Sequence, residues 1–216
     1  MPGNKKFIWI SIYAITMAYL EAAAVVYLRQ IYGIGKDITI ALKFDPLVGM
    51  TEVGREVATM MMILAVAVIA GNSKRSRIGF FLFVFGVWDF FYYIWLKVIL
   101  NWPNSLLDLD LLFLLPLPWW GPVLSPLLIA VMMILTGYMM VITKVHIHVN
   151  GIELALLILG TAVVLYSFMK DAISHLVTQA AWSTIQPPKE FDWPIFLIGF
   201  ILLGGVAVKT FFLENN

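Results

Sequence analysis

Long runs of apolar residues are the feature that most limits the folds open to this chain. A helix needs about 20 predominantly apolar residues to cross the hydrocarbon core of a bilayer, and several runs reach that length. Of the 216 residues, 62% are hydrophobic and 12% are charged, whereas a soluble domain is about half apolar and about a quarter charged. A soluble core of this size is too small to bury so much apolar surface. The sequence therefore predicts an integral membrane protein.

The predicted fold class is all-α, a polytopic transmembrane helix bundle of about six helices that forms a single domain over residues 1–216. Between the third and fourth helices, residues 104–118 hold an apolar stretch that is too short to span and is followed by prolines. Such a stretch favours a short re-entrant or interfacial segment. Residues 38–42 are predicted to form a short strand or an interfacial piece. The helices are predicted at residues 7–28, 51–70, 79–100, 121–141, 152–169 and 194–212.

Basic residues near the start of the chain predict how the bundle sits in the membrane. Six spans place both termini on one side, together with Lys5, Lys6 and the basic turn at 74–77. The positive-inside rule gives most weight to short basic loops and to the first helix. We therefore predict a multi-pass protein of the cell membrane with both termini in the cytoplasm. The first apolar run, about 22 residues long, exceeds the h-region of a signal peptide, so we expect an uncleaved first helix.

The composition excludes several kinds of cofactor and partner. The chain has no cysteine, which rules out iron–sulfur clusters, c-type haem attachment and thiolate zinc sites. Its net charge of +1 gives no reason to expect a nucleic acid partner. The expected partners are the lipid bilayer, a second copy in a homodimer, or a subunit of a larger membrane complex.

Two acidic residues lie inside predicted spans, where charge is expensive. Glu21 lies about two turns from one end of the first helix, and Asp89 lies near the middle of the third. A charge at a helix centre costs roughly 2.5–3.5 kcal/mol on insertion scales, so such residues usually face the bundle interior and have partners there. These two carboxylates are the strongest indication of a functional site in the sequence.

Helical spacing extends this site to neighbouring polar residues. Residues four apart share a helix face, as Tyr93 and Lys97 do with Asp89, and Arg29 lies two turns beyond Glu21. One hypothesis is a polar pocket open to the outside. The alternative is that Glu21–Arg29, Glu52–Arg55 and Asp89–Lys97 are structural pairs that tie helices together. The candidate ligand-binding residues are Glu21, Arg29, Glu52, Arg55, Glu56, Asp89, Tyr93 and Lys97, with Asp171 and His175 as peripheral candidates.

Three functions are compatible with this pattern. The leading hypothesis is a membrane protein whose outward-facing acidic pocket binds a cation or a small polar solute, with transport as one role, because intramembrane carboxylates paired with basic residues mark ion pathways. A second is a membrane metalloenzyme that holds a divalent metal through carboxylate and histidine ligands. The third is an anchor or accessory subunit of a membrane complex. No residue is assigned a catalytic role, and the metal ligands of the second hypothesis would be Glu21, Glu52, Glu56 and His175.

Two pairs of residues, each two positions apart, are weaker candidates for a metal or cation site. His146 and His148 lie in a short loop, where a solvated surface is the default interpretation. Asp108 and Asp110 are predicted to mark a surface loop or a helix start, since the remaining ligands of a cation-binding loop are missing.

Four phrases in roughly the first 140 residues give a resemblance to a known group of proteins. They are YLEAAAVVYLRQIY at 19–32, EVGREVATMMM at 52–62, FGVWDFFYYIWLK at 85–97 and NWPNSLLDLDLLFLLPLPWWGPVLSP at 101–126. Together they resemble a family of small prokaryotic polytopic membrane proteins with no assigned activity. The resemblance implies kinship at the level of the fold and implies nothing about chemistry.

Overall fold

The computed structural model describes residues 3–33, 45–143, 149–177 and 187–213. It confirms an all-α bundle with six helices that are long and apolar enough to cross a membrane. The segment predicted at 38–42 and the two histidines at 146 and 148 lie outside the described residues. The helices are α1 (Gly3–Ile31), α2 (Pro46–Ala70), α3 (Lys74–Leu100), α4 (Leu124–Ile142), α5 (Gly151–Val177) and α6 (Trp193–Val208), and α6 continues into a π-helical turn at Lys209–Leu213.

Capping residues explain why two helices begin earlier than predicted. α2 begins at Pro46, where the missing N–H costs nothing, and the Asp45 side chain accepts a hydrogen bond from the backbone N–H of Leu47. α3 begins directly after Ser73, whose side chain forms a reciprocal capping box with Ser76. With these polar caps, each helix begins five residues before its predicted start at 51 or 79.

The segment predicted as re-entrant or interfacial forms an antiparallel β-hairpin. Strand β1 (Leu109–Phe113) pairs with β2 (Trp119–Pro122), with a bulge before Phe113. The Phe113 ring lies 6.3 Å from the Trp88 ring of α3. At about 1.5 Å per residue, Trp88 is roughly 18 Å along the axis from the end of α3 at Leu100. The hairpin therefore enters the bundle to about half the depth of α3, as a re-entrant segment does.

Helix α3 is the centre of the largest packing unit, because α1, α2 and α4 all pack on it. The approach of α3 and α4 is closest at glycines. A Cβ atom on Gly86 would lie 2.5 Å from the carbonyl oxygen of Ala130, and a Cβ atom on Gly137 would lie 2.5 Å from that of Gly79. Small residues allow such contact between helix backbones in membranes. We call α1–α4 the four-helix unit.

The α5–α6 pair forms the second part of the bundle. Its two helices meet at Gly160 and Gly199, where a Cβ atom would lie within about 3 Å of the opposite backbone. The pair is attached to the rest largely through β2 and α4, with the Phe168 ring stacked 6.2 Å from Trp119. We call the end of the bundle with the hairpin base the hairpin side, and the opposite end the terminal side. A cavity runs between the two parts.

Candidate functional site

The cavity between the four-helix unit and the α5–α6 pair has a volume of about 780 Å³, which lies in the range of about 300–1,000 Å³ typical of small-molecule sites. Its walls come from all six helices and from the hairpin. Seven of the eight predicted ligand-binding residues line it, namely Glu21, Arg29, Glu52, Arg55, Glu56, Asp89 and Tyr93. They lie in the half of the cavity nearer the hairpin side, and apolar side chains line the other half.

Arg55 on α2 holds two of the carboxylates. Its guanidinium group forms salt bridges with Glu21 of α1 and with Glu52 one turn earlier on α2, the latter at 2.8 Å. The Thr59 hydroxyl donates a further hydrogen bond of 3.4 Å to Glu21. The predicted Glu52–Arg55 pair is confirmed. The predicted Glu21–Arg29 pair is wrong, because Glu21 bonds across to α2.

Arg29 instead pairs with a residue of the hairpin. Its Nη2 atom lies 3.7 Å from Oδ1 of Asp110, and its guanidinium group lies 4.1 Å from the centre of the Trp102 ring. The Tyr93 hydroxyl donates a 3.2 Å hydrogen bond to Oδ2 of the same aspartate. Both partners of this ion pair are buried, with 6% of the Arg29 side chain and 3% of the Asp110 side chain exposed.

The prediction that Asp110 marks a surface loop or a helix start is wrong. Only 2% of Asp110 is exposed, and it belongs to strand β1. Asp108 does follow the prediction, because its carboxylate accepts hydrogen bonds from the backbone N–H groups of Asn104 and Ser105 in an exposed turn. The one sequence signal for a buried, paired Asp110 is its position between Leu109 and Leu111. An unpaired carboxylate is unfavourable in such an apolar stretch, so a partner is expected.

Glu56 connects α2 to the tip of the hairpin. Both of its carboxylate oxygens accept the backbone N–H of Leu114, at 2.9 and 3.1 Å. Glu56 lies roughly 15 Å along the helix axis from the start of α2, so this turn is at membrane depth. Irregular backbone at that depth is tolerated only when protein groups satisfy it. Glu56 therefore has a structural partner that its sequence neighbours do not reveal.

Asp89 lines the cavity without a hydrogen bond or ion pair to any described residue. The proposed pairing with Lys97 is wrong, because the Lys97 ammonium group donates to the carbonyl oxygen of Pro103 at 2.9 Å. Lys97 is exposed and lies outside the cavity wall, so it does not join the other seven candidates. Asp89 is thus the one carboxylate of the cavity wall without such a partner in the described part of the chain.

Trp88 and Trp119 also line the cavity, and sequence reasoning missed both as site residues. Their indole N–H groups are buried and have no hydrogen-bond partner in the described part of the chain. A buried donor without a partner is unfavourable, and it is often satisfied by a bound molecule or water. Trp88 is 3% exposed, and its sequence context gave no indication beyond a packing role.

The metal hypothesis gains no support from the geometry. In residues 3–33, 45–143, 149–177 and 187–213, no three histidine, aspartate or glutamate side chains come together in a way that could hold a metal ion. Glu21 and Glu52 share Arg55, whereas Glu56 turns to the hairpin. Asp171 lies outside the cavity wall. The backbone of His175 is part of α5, and its side chain lies outside the described part of the chain.

The formal charges around the cavity do not balance. Five carboxylates line it, from Glu21, Glu52, Glu56, Asp89 and Asp110, against the guanidinium groups of Arg29 and Arg55. Full ionisation would leave three negative charges in excess among the described lining residues. In a site largely removed from water, protons or a bound cation must neutralise much of such an excess.

Comparison with known proteins yields no match, either to a protein family, to a curated protein or to a solved structure. The resemblance to a family of small prokaryotic membrane proteins therefore stays a prediction.

Proposed function

We propose that this membrane protein binds a cation, or a small polar solute that carries a positive charge, in the acidic half of the cavity. The observation that carries the proposal is the excess of five carboxylates over two guanidinium groups. A cation removes that excess without requiring every surplus carboxylate to be protonated. Transport of the bound cation is compatible with the cavity, which reaches from Arg29 near the hairpin side to Thr210 near the terminal side.

The pairing pattern supports a cation in preference to an anion. Both arginines already face carboxylates, Arg55 those of Glu21 and Glu52, and Arg29 that of Asp110 at 3.7 Å. Asp89 is left with its carboxylate on the cavity wall and no cationic partner among the described residues. An anion would meet this free carboxylate, whereas a cation would be attracted to it. No observation favours the metalloenzyme or the accessory-subunit hypothesis, and we do not propose a catalytic reaction.

Thermal unfolding in the presence of cations tests this proposal. A ligand that binds only the native state raises the stability by about 2.7 kcal/mol at 100 times its Kd. We expect at least one member of a panel of Na⁺, K⁺, Mg²⁺, Ca²⁺, guanidinium and tetramethylammonium to raise the Tm of the wild-type protein. Asp89→Asn should reduce that increase, because it removes the free carboxylate and keeps the side-chain shape.

Glu190→Gln is the matched control, since Glu190 is exposed and lies outside the cavity wall. It should respond to cations as the wild type does. If no cation changes the wild-type Tm, or if Asp89→Asn keeps the full response, the proposed site is wrong.

We also propose that both termini lie in the cytoplasm and that the bundle sits in the cell membrane, on the strength of the basic N-terminus and turn. Asn72 is exposed in the turn before α3, and Asn104 is exposed at the hairpin base on the opposite side. In a chain without cysteine, Asn104→Cys should react with a membrane-impermeant maleimide added to intact cells, whereas Asn72→Cys should react only after permeabilisation. The reverse labelling pattern would contradict this orientation.

A further inference from the structure

The half of the cavity toward the terminal side is apolar and much larger than an inorganic ion requires. None of the described residues that line this half is charged. Its walls come from α3, α4, α5 and α6, and include Leu82, Met133, Thr136, Leu157, Thr161 and Val206. Inorganic cations are held in small cages of several oxygen ligands, and a cavity of about 780 Å³ is instead suited to an organic molecule.

The boundary between the acidic half and the apolar half is aromatic. Trp88, Tyr92 and Tyr93 flank or follow Asp89 on α3, and all three line the cavity. Aromatic faces attract organic cations, and the attraction grows when the cation is removed from water. A carboxylate with aromatic residues beside it on the cavity wall is therefore suited to an alkylated ammonium group, which binds through charge and rings without a coordination cage.

We infer that the ligand is an amphiphilic organic cation. Its ammonium group lies against Asp89, and an apolar chain fills the cleft between α3–α4 and α5–α6. This inference rests on the proposed function, because it names the class of cation that the acidic half receives. It adds that affinity depends on the apolar body of the ligand, which a simple cation site does not require.

A series of choline esters tests the inference on protein in lipid nanodiscs, with empty nanodiscs subtracted. Acetylcholine and octanoylcholine share the cationic head and the ester carbonyl and differ in chain length. Each methylene group that moves from water into an apolar site raises the affinity by a factor of up to about four, the equivalent of about 0.8 kcal/mol. Lipid already in the cleft will reduce that factor. We expect isothermal titration calorimetry to give octanoylcholine a Kd at least tenfold below that of acetylcholine.

A further comparison locates the head. The neutral 3,3-dimethylbutyl ester of octanoic acid replaces the charged nitrogen by carbon, and it should bind at least tenfold more weakly than octanoylcholine.

Thr161→Phe tests the place of the chain, because Thr161 lines the cleft from α5 and is remote in sequence from every charged residue of the cavity. The added ring should weaken octanoylcholine binding at least fivefold and leave acetylcholine unchanged. Thr136→Phe, on the α4 wall, provides a second variant if the first does not fold.

The results separate the two proposals. Equal affinity for acetylcholine and octanoylcholine would overturn the inference and leave the cation site in place. Stabilisation by inorganic cations with no choline ester bound would do the same. Equal affinity for octanoylcholine and its neutral analogue would overturn the inference, because the ammonium group would then contribute nothing to binding. It would overturn the proposed cation site as well only if no cation in the panel raised the Tm.

Discussion

Arg29→Met is expected to destabilise the protein by about 3–5 kcal/mol, the usual cost of leaving a buried charge without its partner. Asp110 would remain in an apolar strand with the Tyr93 hydroxyl and the backbone N–H of Leu111 as its partners, and without a cation to balance its charge. The guanidinium group of Arg29 also lies over the Trp102 ring, and methionine would replace only part of that contact. Denaturation monitored by tryptophan fluorescence in a mild detergent would measure the loss of free energy of unfolding.

The double variant Arg29→Met/Asp110→Asn is the control for this experiment. It removes both charges together and keeps an acceptor for the Tyr93 hydroxyl, so it should recover most of the lost stability. If the double variant is as unstable as the sum of two single changes predicts, then the two residues do not form the ion pair described above.

The second large effect is expected at Arg55. Arg55→Gln leaves Glu21 and Glu52 without their shared cation. We expect a loss of more than about 2 kcal/mol, below the full cost of a buried pair because a quarter of the Arg55 side chain is exposed. Glu56→Gln should cost less than about 1 kcal/mol, because the amide oxygen of glutamine can still accept the N–H of Leu114.

The comparison between these two variants is informative because both residues lie on the same turn of α2. Glu56→Gln should also change how the Tm depends on pH and on added cations, since it removes one carboxylate from the cavity. Equal stability and equal cation response for wild type, Arg55→Gln and Glu56→Gln would mean that this turn is only a solvated helix end.

The helices could be predicted because each is apolar over a length that spans a bilayer, and this property is local in sequence. The ends of the helices could be predicted less accurately than their positions. α5 runs to Val177, eight residues past the predicted end at 169, because charged residues such as Lys170 and Asp171 continue a helix without difficulty where it leaves the apolar core. The Ser73 capping box likewise extends α3 to Lys74, in a sequence that hydrophobicity alone assigns to a turn.

The acidic residues of the site could be predicted because they lie inside apolar transmembrane helices, where charge is unexpected. Their partners could not be predicted, because an ion pair between helices depends on how the helices are rotated and placed against one another. Glu21 and Arg29 share a face of α1, yet Glu21 bonds to Arg55 of α2 and Arg29 to Asp110 of the hairpin. The hairpin accounts for most of the remaining errors, since its short strands are weak signals and its contacts with Glu56 and Tyr93 are distant in sequence.

The most direct test of the proposed cation site is chemical labelling of Asp89 in native membranes. Dicyclohexylcarbodiimide is apolar and adds to protonated carboxyl groups that it can reach from the hydrocarbon phase, and mass spectrometry identifies the modified residue. We predict that Asp89 is modified, and that a saturating concentration of a cation that raises the Tm slows the modification. Absence of modification at Asp89, or a rate that no cation in the panel changes, would contradict the assignment of this cavity as a cation site.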